Sequence, residues 1–309
     1  MPKFSIVTSL YYAAPYLQEL YDRTLVEIKK HTDDYEFVFV DDGSPDDGND
    51  AIKKLIETDE NVKLVELSRN FGHHKAIMIG LEYVDGDYVF MFDSDLEEDP
   101  SLLDTFYRMM TDSSESVDVV YGVMDTRKGK FFERTSGAFF YKLINMMSDT
   151  PIPANMMAAR LMTRAYVENV IRYQEAHVYL GGVMSLAGFN QIAYRSTKGY
   201  KGVTTYNLGR KFQLALEALI SYTNKPLTFI AGFGLTISAV AFMVVVFLIG
   251  RAAYTNVPLE GWHWILGSIW LLGGLTISAI GLVGFYVGRI FVQVKQRPNA
   301  IVKKVHQRE

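Results

Sequence analysis

The residues of this 309-residue chain best suited to chemistry are two acidic clusters, Asp41-Asp42 and Asp93-Ser94-Asp95. In an extended D-S-D segment the side chains of Asp93 and Asp95 point to the same side. Two hard carboxylate oxygens so placed suit Mg²⁺ or Mn²⁺, ions that retain waters and bind substrate phosphates. A cation held there would offset the charge of a diphosphate as its bond to carbon breaks. Each cluster also has a plain structural use. Asp99-Pro100-Ser101 reads as a helix start, so the second cluster could belong to a cap, and Asp41-Asp42-Gly43-Ser44 could be only a turn. What favours a site is that each acidic pair directly follows an apolar run.

Those runs set the architecture. FSIVTSL (4–10), YEFVFV (35–40), VKLVEL (62–67), DYVFMF (87–92) and VDVVYG (117–122) read as buried strands. Helix-like segments lie between them at about 15–30, 46–57, 73–84 and 100–110. Strands alternating with helices predict βαβ units and a mainly parallel sheet with both faces covered. Ligands of such sheets bind beyond the carboxyl ends of the strands, where both acidic pairs fall. Neither a Walker motif nor a G-x-G-x-x-G turn is present, which argues against kinase, ATPase and dehydrogenase chemistry.

The chain has no cysteine, which excludes disulfide scaffolds, zinc ribbons and thiol catalysis. Its formal charge of −4 conceals a division: residues 1–226 carry 24 basic and 33 acidic residues, and the remainder 7 against 2. An acidic folded portion disfavours nucleic acid as a partner. The uncharged stretches Leu227–Gly250 and Trp262–Gly288 are long enough to cross a hydrocarbon core of about 30 Å. Arg210, Lys211 and Lys225 precede the first, and Lys295, Arg297, Lys303, Lys304 and Arg308 follow the second. The positive-inside rule then predicts both flanks in the cytoplasm. The start of the chain, lacking a basic region and long apolar core, predicts no signal peptide. Residues 207–222 carry apolar positions at helical spacing, as an interfacial helix or a core helix would.

FVFVDDGSPDDG, VKLVELSRNFGHHKA, GDYVFMFDSDLEEDP and VDVVYGV, in that order, resemble successive blocks of glycosyltransferase family 2. More narrowly, the chain is similar to the polyprenyl-phosphate (undecaprenyl- and dolichol-phosphate) glycosyltransferases, as a divergent subfamily. The resemblance continues through RKGKFFERTSGAFFYKLINMMSD and the two apolar stretches. It implies an α/β GT-A catalytic domain followed by two transmembrane helices. It further implies inverting, Mg²⁺- or Mn²⁺-dependent transfer of a sugar from a nucleotide diphosphate sugar, expected as a UDP-sugar, to a polyprenyl phosphate. It suggests a homo-oligomer in the inner (plasma) membrane with the catalytic domain cytoplasmic. The expected domains are 1–195 catalytic, 196–226 a basic loop and interfacial helix, 227–291 two membrane helices and 292–309 a cytoplasmic basic tail.

Residue by residue, the resemblance gives Asp42 to the nucleotide base, with Asp41 beside it, and puts Ser9, Tyr11 and Arg69 on the donor side. Asp93 is given to the ribose or the metal and Asp95 to the metal. Glu97 stands where relatives often carry a glutamine near the ion. Arg127, Lys128, Arg134 and Arg160 are given to the acceptor phosphate, Arg127 also to catalysis. Two blocks depart from the family. A first block usually V-P-V-Y-N-E-E appears as TSLYYAA, with Ser9 for proline, Tyr12 for asparagine and Ala13-Ala14 for two acids. The block G-D-F-R appears as Met157-Ala158-Ala159-Arg160, without its aspartate. These changes leave open a non-catalytic, nucleotide-sugar-binding membrane scaffold. A processive polysaccharide synthase is disfavoured because no Q-x-x-R-W block occurs.

Overall fold

The computed structural model describes residues 1–124, 155–175, 179–196 and 261–308, with positions 233, 236, 243, 247 and 254. The chain divides into two units: Met1–Asn145, Thr150–Leu208 and Pro298–Glu309 form the first, Met146–Asp149 and Gly209–Arg297 the second.

The first unit is built on an eight-stranded sheet: β1 (Phe4–Leu10), β2 (Tyr35–Asp41), β3 (Val62–Leu67), β4 (Tyr88–Met91), β5 (Val119–Met124), β6 (Met156–Thr163), β7 (Gln191–Ser196) and β8 (Val302–His306). Their spatial order is β7-β5-β6-β4-β1-β2-β3-β8. All seven residues of β1 are buried, because the strand sits mid-sheet with both faces covered. Period-two alternation sorts the side chains. Phe4, Ile6, Leu10, Phe37, Phe39, Phe90 and Phe92 belong to one core cluster, with residues of α1 (Leu17–Ile28), α2 (Gly48–Thr58) and α4 (Leu102–Thr111). Val7, Val38, Val40, Val65, Val89 and Met91 belong to the other. That cluster includes residues of α3 (His73–Glu82), α5 (Arg164–Val170) and α6 (Leu180–Leu186). The aromatic and the aliphatic faces thus follow directly from the parity of each apolar run.

The chain proceeds from β1 outward through β2 and β3, both parallel, then crosses back to lay β4 parallel on the other side of β1. The order of connection therefore reverses between β1 and β4, and an open α/β sheet forms its ligand crevice at such a switch point. The central strands match the expected ones closely. The half beyond β4 is mixed: β6 runs antiparallel between β4 and β5, and β7 runs parallel to β5.

The expected basic tail (292–309) contains a strand instead. β8 pairs antiparallel with β3, and Ser68 donates its backbone N–H to Ile301 at 2.9 Å. Glu66 binds both Lys303 and His306, and these contacts hold its carboxyl below its usual pKa. The physical reason is that β3 would otherwise present an unpaired edge, which β8 covers.

In the second unit, α7 (Trp262–Val294) is a single helix of 33 residues, with Ile265, Ile269, Ile280, Val287 and Ile290 exposed. The expected first span lies outside the described residues save isolated positions, as do several side chains of α7. Among the described residues no helix is long and apolar enough to cross a membrane. The segment 197–226 and the candidates Arg127, Lys128 and Arg134 also lie outside the described residues.

Deleting residues 298–309 should strip the β3 edge. Loss of a strand and its ion pairs, about 2–4 kcal/mol, corresponds to a fall of about 5–10 °C in the thermal midpoint of the first unit. Thermal unfolding of the intact and shortened chains in detergent checks this; midpoints within 1 °C would mean β8 contributes nothing.

Candidate functional site

Both aspartates that close β2 are buried, each 2% exposed. A carboxylate so placed must recover its lost hydration through hydrogen bonds. Asp41 accepts from the Ser44 N–H and the Asn49 side-chain amide, both at 2.8 Å. Asp42 accepts from the backbone N–H groups of Phe71 at 2.6 Å and Gly72 at 2.9 Å. Burial pushes both carboxyls above the usual aspartate range, and these hydrogen bonds offset part of that rise. Asp42 thus ties the end of β2 to the loop after β3. Gly43 completes the junction with φ of +67°, and a Cβ there would stand 2.6 Å from the Asn70 nitrogen. Only glycine fits such an approach.

The loop after β1 is fastened to the same structure. Tyr12 donates its N–H to Ser44 Oγ at 2.8 Å, Ala14 donates to Asp46 at 2.9 Å, and the Ser44 hydroxyl donates to Asp46 at 2.5 Å. Tyr12 holds φ of +56°, uncommon for a residue with a large side chain. Tyr11 and Tyr12 are 51% and 62% exposed and meet edge to face at 4.9 Å. Two aromatic faces accordingly stand over the carboxyl end of β1. Arg69, exposed at the end of β3, lies over the Phe71 ring at 4.1 Å and donates to the Asn70 carbonyl at 3.1 Å.

Beyond β4 stand Asp93, Asp95 and Glu97, all half-buried. Asp95 accepts the Glu97 N–H at 3.0 Å, and Leu96 between them has φ of +58°. No group of three metal-ligating side chains occurs among the described residues. Ser94 and Asp95 lie in a turn rather than in extended backbone, so the two aspartates are not placed by strand alternation; both are hard oxygen donors of the kind a divalent cation takes, and part of the Asp93 side chain is exposed. The same turn is anchored through Glu98, fully buried, which accepts the Ala158 N–H at 2.9 Å.

The α3 N-terminus completes the rim. His73 Nδ1 lies 2.7 Å from Ser9 Oγ, and its Nε2 lies 3.6 Å from Asp93 Oδ1. His74, its ring edge-on to Tyr179, has its pKa pushed down to about 4 by burial and stays neutral.

Of the sequence candidates, Ser9, Tyr11, Asp41, Asp42, Arg69, Asp93, Asp95 and Glu97 fall at the carboxyl ends of β1 to β4. Arg160, given by the resemblance to the acceptor phosphate, lies on β6. It is 3% exposed on β6, paired in register with Met91 and Tyr121. Burial lowers its pKa, against the neighbouring Tyr166 and Glu98. β6, which carries it, lies antiparallel between β4 and β5 with a partner strand on each edge. Sequence reading missed Ser44, Asp46, Asn49 and Glu98. A signal existed for the first three, since Ser, Asp and Asn soon after a D-D-G turn are hydrogen-bonding turn residues. The open groove of about 390 Å³ lined by Lys53, Ile56, Lys304, Val305, His306 and Gln307 lies on α2 and the β8 edge, apart from these carboxylates.

A protein of Mycobacterium tuberculosis (strain CDC 1551 / Oshkosh), named among glycosyltransferases, is 39% identical over 98% of this chain and 88% of its own. The SfII prophage-derived bactoprenol glucosyl transferase of Shigella flexneri is 31% identical over 92% of this chain and 91% of its own. Glucosyl-3-phosphoglycerate synthase from Mycobacterium tuberculosis, solved with Mn²⁺, UDP-glucose and phosphoglyceric acid, is similar in fold. The TM-score is 0.50 at 15% identity, over 72% of this chain and 79% of that one. The family description "Glycosyl transferase family 2" matches residues 5–171, a span that runs from β1 to the end of α5 and holds every carboxylate of the rim, and the chain is a glycosyltransferase belonging to that family.

Proposed function

We propose that the protein transfers a sugar, in the first instance glucose, from a UDP-sugar to a polyprenyl phosphate at the cytoplasmic face of a membrane. The observation that carries this reading is the pair of acidic turns flanking the switch point beside β1. The likeness to a bactoprenol glucosyl transferase along nearly the whole chain supports the lipid acceptor.

On this reading the donor nucleotide lies over the β1 and β2 ends, its base near Asp42 and stacked on Tyr11, its ribose and diphosphate toward Asp93. Aromatic stacking of a base contributes about 1–3 kcal/mol. A divalent cation held by Asp93 and Asp95, with Glu97 beside it, would supply charge neutralisation for the departing diphosphate. The acceptor needs little activation. A phosphate monoester has a second pKa of about 6, so near pH 7 most of it is a dianion. One of its oxygens attacks the anomeric carbon from the face opposite the diphosphate. A carbon–oxygen bond forms to the lipid phosphate, the bond to the diphosphate breaks, and its electron pair leaves with the nucleotide. The configuration inverts. Because the nucleophile arrives already charged, an alanine at 158 need not abolish transfer; the protein's task is to align the reactants and stabilise the leaving group.

The topology supports a hairpin across the bilayer. Strands on both sides of the apolar region, β7 and β8, belong to the same sheet, so any crossings made by the chain between them are even in number. The uncharged stretches 227–250 and 262–288 supply two such crossings. The surrounding lysines and arginines then lie beside the anionic lipid surface. A homo-oligomer is consistent with the glycines in both stretches, which permit close helix packing.

Purified protein in detergent, given Mn²⁺, labelled UDP-glucose and undecaprenyl phosphate, should yield a short labelled lipid. Label in a polymer would favour a processive synthase, and donor binding without turnover would favour a scaffold. Asp95→Asn should lower transfer by at least about 10²-fold while the protein keeps its thermal midpoint; full activity at limiting metal would contradict the assignment. Gly43→Ala should act earlier in the cycle. The strained φ and the collision with Asn70 cost about 1–3 kcal/mol, raising the donor KM about tenfold. An unchanged donor KM would detach the 69–72 loop from donor binding.

A further inference from the structure

The contact between Ser9 and His73 is not explained by packing. Ser9 lies near the end of β1, and Asp93 lies two residues past β4. These strands pair Val7 with Met91, and the register continued puts position 9 opposite 93. Both positions share the parity of Val7 and Met91, whose side chains lie in the cluster that includes α3 residues. His73 is the first residue of α3, and its side chain remains 41% exposed, so it sits at the rim rather than in the core. Three elements therefore converge on one imidazole. With the Ser9 hydroxyl donating to Nδ1 at 2.7 Å, the ring proton sits on Nε2 and faces Asp93 Oδ1 at 3.6 Å. The ring cannot swing away without losing the Ser9 bond. The α3 start is itself held, because Gly72, immediately before it, donates to Asp42.

We propose that His73 is a positioning residue of the donor site: Ser9 fixes its imidazole so that Nε2 orients the Asp93 carboxylate toward the cation and diphosphate of the nucleotide sugar. The inference rests on the donor-site reading above and adds a residue pair to it. A 3.6 Å separation is a contact that shortens to a hydrogen bond when the carboxylate is drawn into a loaded site. Partners that orient carboxylate ligands contribute markedly to metal affinity, and their removal typically costs 10–100-fold. Ser9 stands where the resembling family carries proline, whose ring has no hydroxyl to offer an imidazole. That substitution here has a structural role.

The test uses the full-length protein in detergent and measures Mn²⁺ affinity in the presence of UDP by electron paramagnetic resonance, alongside steady-state kinetics. His73→Ala and Ser9→Ala should each weaken Mn²⁺–UDP binding about tenfold and raise the donor KM by a similar factor, with kcat changed less than about threefold. The double variant should be no worse than either single one, since both act through the same ring. Ser9→Thr, which keeps the hydroxyl, should restore binding, and His73→Gln, which keeps a donor nitrogen, should restore part of it. Thermal midpoints without ligand should stay within about 2 °C of wild type, because His73 is exposed. Wild-type Mn²⁺–UDP affinity in His73→Ala, with binding lost in Asp95→Asn, would overturn the positioning role and leave the donor site standing. Failure of the wild-type protein to bind Mn²⁺–UDP would overturn both.

Discussion

The carboxylates of Asp41 and Asp42 sit at 2% exposure at the end of a central strand, and the rest of the site depends on how that burial is compensated. An ionised carboxylate without partners in such a place would cost several kcal/mol. The chain meets the demand by bringing other segments to them. Asp42 collects the amides of Phe71 and Gly72, and Asp41 collects Ser44 and Asn49. Ser44 and Asp46 then collect Tyr12 and Ala14. The loops after β1, β2 and β3 become one hydrogen-bonded body, and the start of α3 is placed as a by-product. Preorganisation of the rim is thus a consequence of satisfying two buried charges.

Much of this was legible in the amino-acid sequence, for a definable reason. β1, β2 and β4 are mostly apolar runs buried on both faces, and β3 keeps four buried apolar residues around Lys63 and Glu66; such runs declare themselves without any knowledge of partners. The acidic turns were legible for the same reason, since they interrupt those runs at fixed places. β6 was less so. Met156–Thr163 contains a buried arginine, and what holds Arg160 inside is a set of tyrosines and a glutamate distant in sequence. β8 could not be read locally at all. Val302–His306 carries two lysines and looks like a solvated tail; it becomes a strand because β3 offers an edge and Glu66 offers a charge. Long-range pairing of this kind leaves no periodic trace. Ser44, Asp46 and Asn49 looked like turn residues, and their role emerges only when the carboxylates they serve are seen to be buried.

The departures from the family pattern also change meaning in three dimensions. Tyr12 replaces an asparagine, a residue that tolerates positive φ more readily, yet the backbone keeps φ of +56°. The loop conformation is therefore set by its hydrogen bonds to Ser44 rather than by the intrinsic preference of position 12. Ser9 gains an imidazole partner that proline could not have. At position 158 the side chain is gone, but the backbone N–H is held by Glu98, which ties the turn after Asp95 to β6.

On the proposed reading, the chemistry of a phosphate acceptor bears directly on these departures. An alcohol nucleophile must lose its proton to a well-placed base, so the side chains near the reacting centre are tightly constrained. A phosphate dianion brings its own charge, and the difficult part of the reaction moves to the leaving group, where diphosphate charge must be offset. On that reading constraint concentrates on the groups proposed to hold the donor, the buried aspartates, the D-S-D turn and the α3 start, and relaxes at position 158, where an alanine is tolerated.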